Sequence, residues 1–225
     1  WITAGVVVTF IDVTTLVQSE ERQRVLVNEL HHRTRNLLGV VQAVANRTLA
    51  GDPALIDFGA RLASLSRAQS LITESAGREP DLSDMIRLGL EAVNAPRERY
   101  RLSGPRARLG FDLVQTMSLA LHELTTNAVK HGALGNDTGR LEVSWTIDDV
   151  GDNECRLTLH WRESGVKIGA APVRHGFGRE LIEKALVHTH RARTTLEFKP
   201  DGVECTIEVT FGKATSRTEA ASVHA

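Results

Sequence analysis

Cysteine is scarce in this 225-residue sequence: only Cys155 and Cys205 are present, both in strand-like runs, with no CxxC pair and no metal-ligand spacing. They are expected as buried, reduced thiols, the state of a reducing, cytoplasmic compartment. Long hydrophobic runs are missing too. None approaches the roughly 20 residues that span a bilayer, and no secretory signal opens the chain, so no membrane span is expected in it. Charge of one sign is not in excess: 27 Lys and Arg face 28 Asp and Glu, a net charge of -1. A dedicated nucleic-acid binder would carry a strongly basic patch or domain, so no nucleic-acid partner is expected. What remains is the composition of an ordinary globular protein, 41% hydrophobic and 24% charged, long enough for two small domains. The chain opens on Trp1 rather than Met, within a strand-like run, and so reads as part of something longer.

The run "GVVVTFID" predicts one strand, and Asp12 and Thr14 offer oxygens to cap the helix after it. A lone strand needs sheet partners, expected upstream. A long helix is predicted over residues 16–49, where Leu30, Thr34, Leu37, Val41, Val44 and Thr48 are spaced 4, 3, 4, 3, 4, the period of a bundle seam. "AGDP" closes it, and a second helix carries Leu55, Phe58, Leu62, Leu65 and Ile72. Such a hairpin has too little core to stand alone and is expected to pair with a second copy as a four-helix bundle. "GREPDLSDM" marks a boundary. Beyond it come helices near residues 82–93 and 113–130, strands at "LEVSWTI", "CRLTLHW", "TTLEFKP" and "ECTIEVTF", and a helix at "GRELIEKALVHTH". The fold class is therefore α+β: a helical hairpin, half of a four-helix bundle, followed by an α/β sandwich domain. The expected domains are a strand end at 1–15, the hairpin at 16–78, the sandwich at 79–212 and a disordered tail at 213–225.

Four stretches carry chemistry. In "NELHHRTRNLLGVVQAV", with Leu30 at d and Thr34 at a, His32 falls at f and points from the seam, while His31 falls at e. An outward imidazole is open to another domain; Arg33 and Arg35 suit phosphate oxygens, and Asn36 lies one turn below. A solvated basic face is the alternative. In "LALHELTTNAVKHGAL", Glu123, Asn127, Lys130 and His131 stand at i, i+4, i+7 and i+8, on one helix face. A carboxylate, a carboxamide oxygen and an ammonium so arranged suit magnesium and a triphosphate; a plain polar helix face is the alternative. In "HWRESG", Glu163 precedes Gly165 at a strand end, where a carboxylate could accept from a purine amino group or simply sit in a surface turn. In "RHGFGRELI", Gly176, Phe177 and Gly178 open a predicted helix, whose free amides suit phosphate; a flexible turn is the alternative.

Together and in this order, these elements resemble the HWE subfamily of sensor histidine kinases. The resemblance spans roughly residues 20–211: "ELHHRTRNLLGVVQAVA" is similar to its histidine box, "HELTTNAVKHGAL" to its asparagine box, "WRESG" to its W-x-E signature and "HGFGRELI" to its second glycine box. The opening strand with "DVT" resembles the exit of a PAS-type sensor domain. The resemblance implies His32, not His31, as phospho-acceptor, Asn127 as magnesium ligand, Glu123 as catalytic carboxylate and Lys130 as phosphate contact. Trp161 and Glu163 match the signature, Glu163 replacing the aspartate that usually reads adenine, and Gly176 and Gly178 match the glycine box. Two positions depart: Val166 and Lys167 follow Gly165 where Gly-Pro is common, so the lid differs, and His131 stands where tyrosine is frequent, which alters packing beside adenine. The implied activity is an ATP- and Mg2+-dependent protein histidine kinase of a two-component system, phosphorylating His32 and passing the group to an aspartate of a response regulator receiver domain. The implied assembly is a homodimer with a PAS-type sensor upstream in the same chain. The alternatives are a nucleotide-binding scaffold and a histidine phosphotransfer protein without kinase activity.

Overall fold

Asp12 accepts the Thr14 amide at 2.9 Å, and from there the chain runs as one helix, α1 (Thr14–Thr48). In the computed structural model the described residues are 12–48, 54–74, 79–151, 154–166 and 192–212. The expected strand at residues 1–11, the glycine box with its helix and the tail lie outside them. The second helix, α2 (Ala54–Glu74), folds back on α1, and the two meet where Gly59 has no side chain: a Cβ there would stand 3.1 Å from Gln42 Nε2. The half-buried residues of α1 include Thr34, Leu38, Gln42 and Ala45, and this face lies toward α2.

That face departs from the expected stripe. Leu37, Val41 and Val44 are 63%, 45% and 58% exposed, and Val40 beside them is 59% exposed. A bundle helix has two flanks, and within one chain α2 covers only one of them.

After Asp81 caps its first turn by accepting the Ser83 amide, α3 (Leu82–Ala92) buries Leu82, Met85, Ile86 and Leu90. A short strand, β1 (Tyr100–Ser103), precedes α4 (Phe111–Lys130). Strands β2 (Arg140–Gly151), β3 (Glu154–Ser164), β4 (Arg193–Lys199) and β5 (Gly202–Gly212) complete a five-stranded sheet of order β1-β2-β3-β5-β4. Only β1 runs parallel to its neighbour β2; the other pairs are antiparallel. The sheet therefore follows the α+β expectation, with β1 as an addition.

Alternation along the strands turns Leu141, Val143 and Trp145 of β2, Leu157, Leu159 and Trp161 of β3, and Cys205, Ile207 and Val209 of β5 to one face. Helix α4 covers it with Leu113, Val114, Met117, Leu121, Leu124 and Ala128, spaced at the helical period. The opposite face keeps Glu142, His160 and Arg162 exposed, the division usual for an antiparallel sheet packed on one side. Cys205 is buried and free as expected; Cys155 is also free but only half-buried, because it lies near the open end of β3.

Candidate functional site

The core period of α4 decides which of its residues remain for chemistry. With Leu121, Leu124 and Ala128 turned to the sheet, Asn127 and Lys130 are exposed and Glu123 lies at the flank facing α2. Among the described residues the exposed Asn127 carboxamide takes no hydrogen-bond partner. The helix ends at His131, exposed, whose amide donates to the Asn127 carbonyl at 2.8 Å. Glu123, Asn127, Lys130 and His131 thus lie on one short stretch of helix.

Two of these side chains are held by the hairpin. Arg61 donates to Glu123 from Nε at 2.5 Å and from Nη2 at 3.3 Å, with only 7% of the carboxylate side chain exposed. Lys130 donates to Asp57 at 2.9 Å, and this hydrogen bond holds the Asp57 carboxyl below the usual range. Farther along, the hydroxyls of Ser64 and Ser118 are 3.1 Å apart. Helices α2 and α4 therefore pack antiparallel, joined by two ion pairs and a hydroxyl pair.

His122 lies at the same junction. Burial pushes its imidazole below the ordinary 6.5, against the pull of Glu123, and Arg67, Arg61 and Lys130 press in the same direction as burial. The folded chain therefore binds this proton less readily than the unfolded one. Its contribution to stability is present above pH 6.5 and is lost as the pH falls through that value toward the depressed one. Denaturant titrations at pH 7.5 and 5.5 should show the loss, and His122→Asn should remove this part of the slope.

At the C-terminal end of α4 a second set of contacts ties the helix to the sheet. Trp161, fully buried, donates its indole N–H to Glu163 Oε1 at 3.0 Å, and the Ala133 amide donates to Glu163 Oε2 at 2.7 Å. Burial raises the Glu163 carboxyl above its ordinary range, and the two hydrogen bonds pull it back. This approach requires Gly132: a Cβ there would stand 1.9 Å from Glu163 Oε2 and 2.8 Å from Ala128 Cα. Arg99 grips the same loop from the other side, donating to the carbonyls of Gly139 at 2.8 Å, Ala133 at 2.9 Å and Asn136. The Ala133 peptide is thus held at its N–H by Glu163 and at its C=O by Arg99. Gly165 turns the chain after β3 at φ +73, and the Val166 amide then donates to the Asp201 carbonyl at 3.1 Å.

The structure brings Glu123, Asn127, Lys130 and His131 together on α4, with Trp161 and Glu163 at its end. Gly176, Phe177 and Gly178 lie outside the described residues. His32 is a residue of α1, and near it Arg33 is paired with Glu29 at 2.8 Å. The register of the helices separates His32 from the α4 residues. Gly59 faces Gln42, so Asp57, which holds Lys130, lies level with about residue 44 of α1. The twelve residues from there to His32 span about 18 Å along the helix axis at 1.5 Å per residue. The residues that sequence reasoning passed over are Asp57, Arg61 and Arg99. Asp57 and Arg61, opposite charges one turn apart, are the only visible trace of the first pair of contacts.

Residues 29–106 match the model of the family described as HWE histidine kinase. The chain is 33% identical over 198 residues to the blue-light-activated histidine kinase of Brucella anthropi, covering 86% of this chain and 40% of that protein. It is 31% identical over 198 residues to the protein of the same name from Brucella ovis, covering 85% of this chain and 40% of that protein. The chain thus spans about 40% of the length of these relatives. In fold it is similar to the histidine kinase domain of a blue-light activated histidine kinase from Erythrobacter litoralis, with a TM-score of 0.54 at 13% identity over 84% of this chain and 94% of that one.

Proposed function

Because the chain belongs to the HWE histidine kinase family, we propose that it is the kinase region of a two-component sensor that phosphorylates itself on His32 and passes the phosphoryl group to an aspartate of a response regulator. The observation that carries this is the α4 face, where an exposed Asn127 carboxamide stands between the Glu123 carboxylate and the Lys130 ammonium.

The donor set suits magnesium-ATP. Among the described residues no cluster of three or more His, Cys, Asp or Glu could hold a metal. Magnesium does not need one, since it keeps several waters and binds through one or two protein oxygens and substrate phosphates. Asn127 is the residue to hold it. When bound, magnesium-ATP supplies the γ-phosphoryl group, with the metal neutralising charge on it. His32 offers a neutral imidazole nitrogen for in-line attack. Lys130 neutralises phosphate charge, and Glu123 accepts the imidazole proton or orients the ring. Gly165 and His131 lie on the proposed adenine side, backed by Glu163 and Trp161, which are both buried and bonded to each other, and Gly176, Phe177 and Gly178 are the residues to supply amides to phosphate.

Incubation with γ-labelled ATP tests the reading. Labelled chain supports the kinase, and Asn127→Ala should abolish the label. Nucleotide binding without label would identify a scaffold; label appearing only with a second kinase would identify a phosphotransfer protein.

The exposed stripe of Leu37, Val40, Val41 and Val44 supports a homodimer in which a second copy completes the four-helix bundle. Burying one such side chain contributes about 1.5–3 kcal/mol, and two-fold symmetry counts each twice. Light scattering should give twice the chain mass, and Val41→Glu with Val44→Glu should give the chain mass. A wild-type monomer at tens of micromolar would overturn this. The input is proposed to arrive from a PAS-type sensor upstream in the same chain, and the kinase region to work in the cytoplasm; among the described residues no helix is long and apolar enough to cross a membrane.

A further inference from the structure

Glu123 and Lys130, the charged side chains of the proposed site on α4, are each already answered by a side chain of opposite charge on α2. Asp57 holds Lys130 and Arg61 holds Glu123. We propose that Asp57 is an intramolecular competitor of the nucleotide for Lys130, so that ATP binds at the expense of the α2–α4 ion pairs and thereby loosens the catalytic layer from the hairpin, which in turn frees Glu123 from Arg61. The proposal rests on the reading of α4 as the ATP helix.

Three observations carry it. First, the Asp57 carboxylate occupies the ammonium that would meet a phosphate oxygen, and one group replaces the other without any change in the kind of contact. Both side chains are half exposed, and such pairs are easily displaced by a ligand of higher charge. Second, Arg61 contacts both oxygens of Glu123 and so stands where an imidazole N–H would have to meet that carboxylate. This pair is far less exposed than the first, so Glu123 becomes available only when α2 withdraws. Third, the docked register keeps His32 about 18 Å along the helix axis from the level of Lys130, far beyond the roughly 3–3.5 Å of an attack geometry. Transfer within one chain therefore needs the α2–α4 contact to open, and competition for Lys130 gives the nucleotide a direct means of opening it.

The test is the affinity of the 225-residue chain for magnesium-AMPPNP, measured by isothermal titration calorimetry. Asp57→Asn removes the competitor while leaving Lys130 in place and should tighten binding about two- to five-fold, the range an exposed ion pair is worth. Arg61→Gln should tighten it as well. Adenosine, which has no phosphate, should bind Asp57→Asn and wild type equally. A lock gives the converse. Ser64→Cys with Ser118→Cys places thiols where the hydroxyls are 3.1 Å apart. Oxidation should weaken magnesium-AMPPNP binding and suppress labelling by ATP, and reduction should restore both. Unchanged or weaker binding by Asp57→Asn and Arg61→Gln, with wild type still binding, would overturn the competition and leave the kinase reading standing. Equal binding by the oxidised and reduced double variant would overturn it too. Absence of binding by wild type would instead sink the nucleotide reading, and the competition with it.

Discussion

His32→Ala should lose acid-labile phosphate incorporation from γ-labelled ATP by at least about 10³-fold, to background, while nucleotide affinity stays at the wild-type value. The size follows from the chemistry. Phosphoryl transfer needs an acceptor in line with the leaving group, and alanine offers no lone pair, so no amount of positioning or charge neutralisation compensates. The neighbouring His31 is one residue away, about 100° around a helix of 3.6 residues per turn, and cannot present its ring along the same line. His31→Ala should therefore keep most of the labelling. Substantial label on His32→Ala, or its loss on His31→Ala alone, would move the acceptor to the other histidine. The variant separates acceptor from binder because His32 lies in the hairpin and the proposed nucleotide contacts lie in the α/β layer.

The second large effect concerns Gly132. Its substitution by alanine places a methyl group 1.9 Å from Glu163 Oε2 and 2.8 Å from Ala128 Cα, and neither neighbour has room to give. Ala128 is helix backbone within the core, and Glu163 is fixed by Trp161 and by the Ala133 amide. Overpacking of this kind costs about 1–3 kcal/mol, and displacing the carboxylate leaves two buried N–H donors unanswered. Gly132→Ala should thus destabilise the chain by about 2–4 kcal/mol, which lowers the melting temperature by roughly 5–15 °C. Circular dichroism on heating measures it. Glu163→Gln makes a smaller demand on space but offers one acceptor oxygen where two are used, so one donor meets an amide NH₂; a loss of about 1–3 kcal/mol is expected. A Gly132→Ala chain as stable as wild type would show that the Glu163 contact contributes nothing to the fold.

Much of this architecture was legible from residue spacing. Leu113, Met117, Leu121, Leu124 and Ala128 recur at the helical period, and strands β2 to β5 alternate cleanly, so elements and inward faces followed from pattern. Strand β1 escaped because four residues at a parallel edge leave no periodicity to count. The bundle stripe was found as a stripe, yet spacing does not say whether its own hairpin or another chain covers it, and here α2 takes only the flank of Leu38 and Gln42. At the site, one helix carries Glu123, Asn127 and Lys130, and helical spacing places them on one face. Their partners are another matter: Arg61 meets Glu123 across 62 residues, and Ala133 meets Glu163 across 30. Contacts between elements so distant in the chain imprint no local pattern, since any helix may carry an Asp and an Arg one turn apart for solubility alone.

The connection through β1, α4 and β2 has a mechanical consequence. The two strands pair side by side and in parallel, so the helix between them is tethered at both ends to adjacent rungs of one ladder. It has no freedom to slide toward a distant imidazole by itself, since either tether would have to tear from the sheet. Under the proposed kinase reading the asparagine-bearing rod therefore travels only as cargo of the whole sheet to which both its ends are tied.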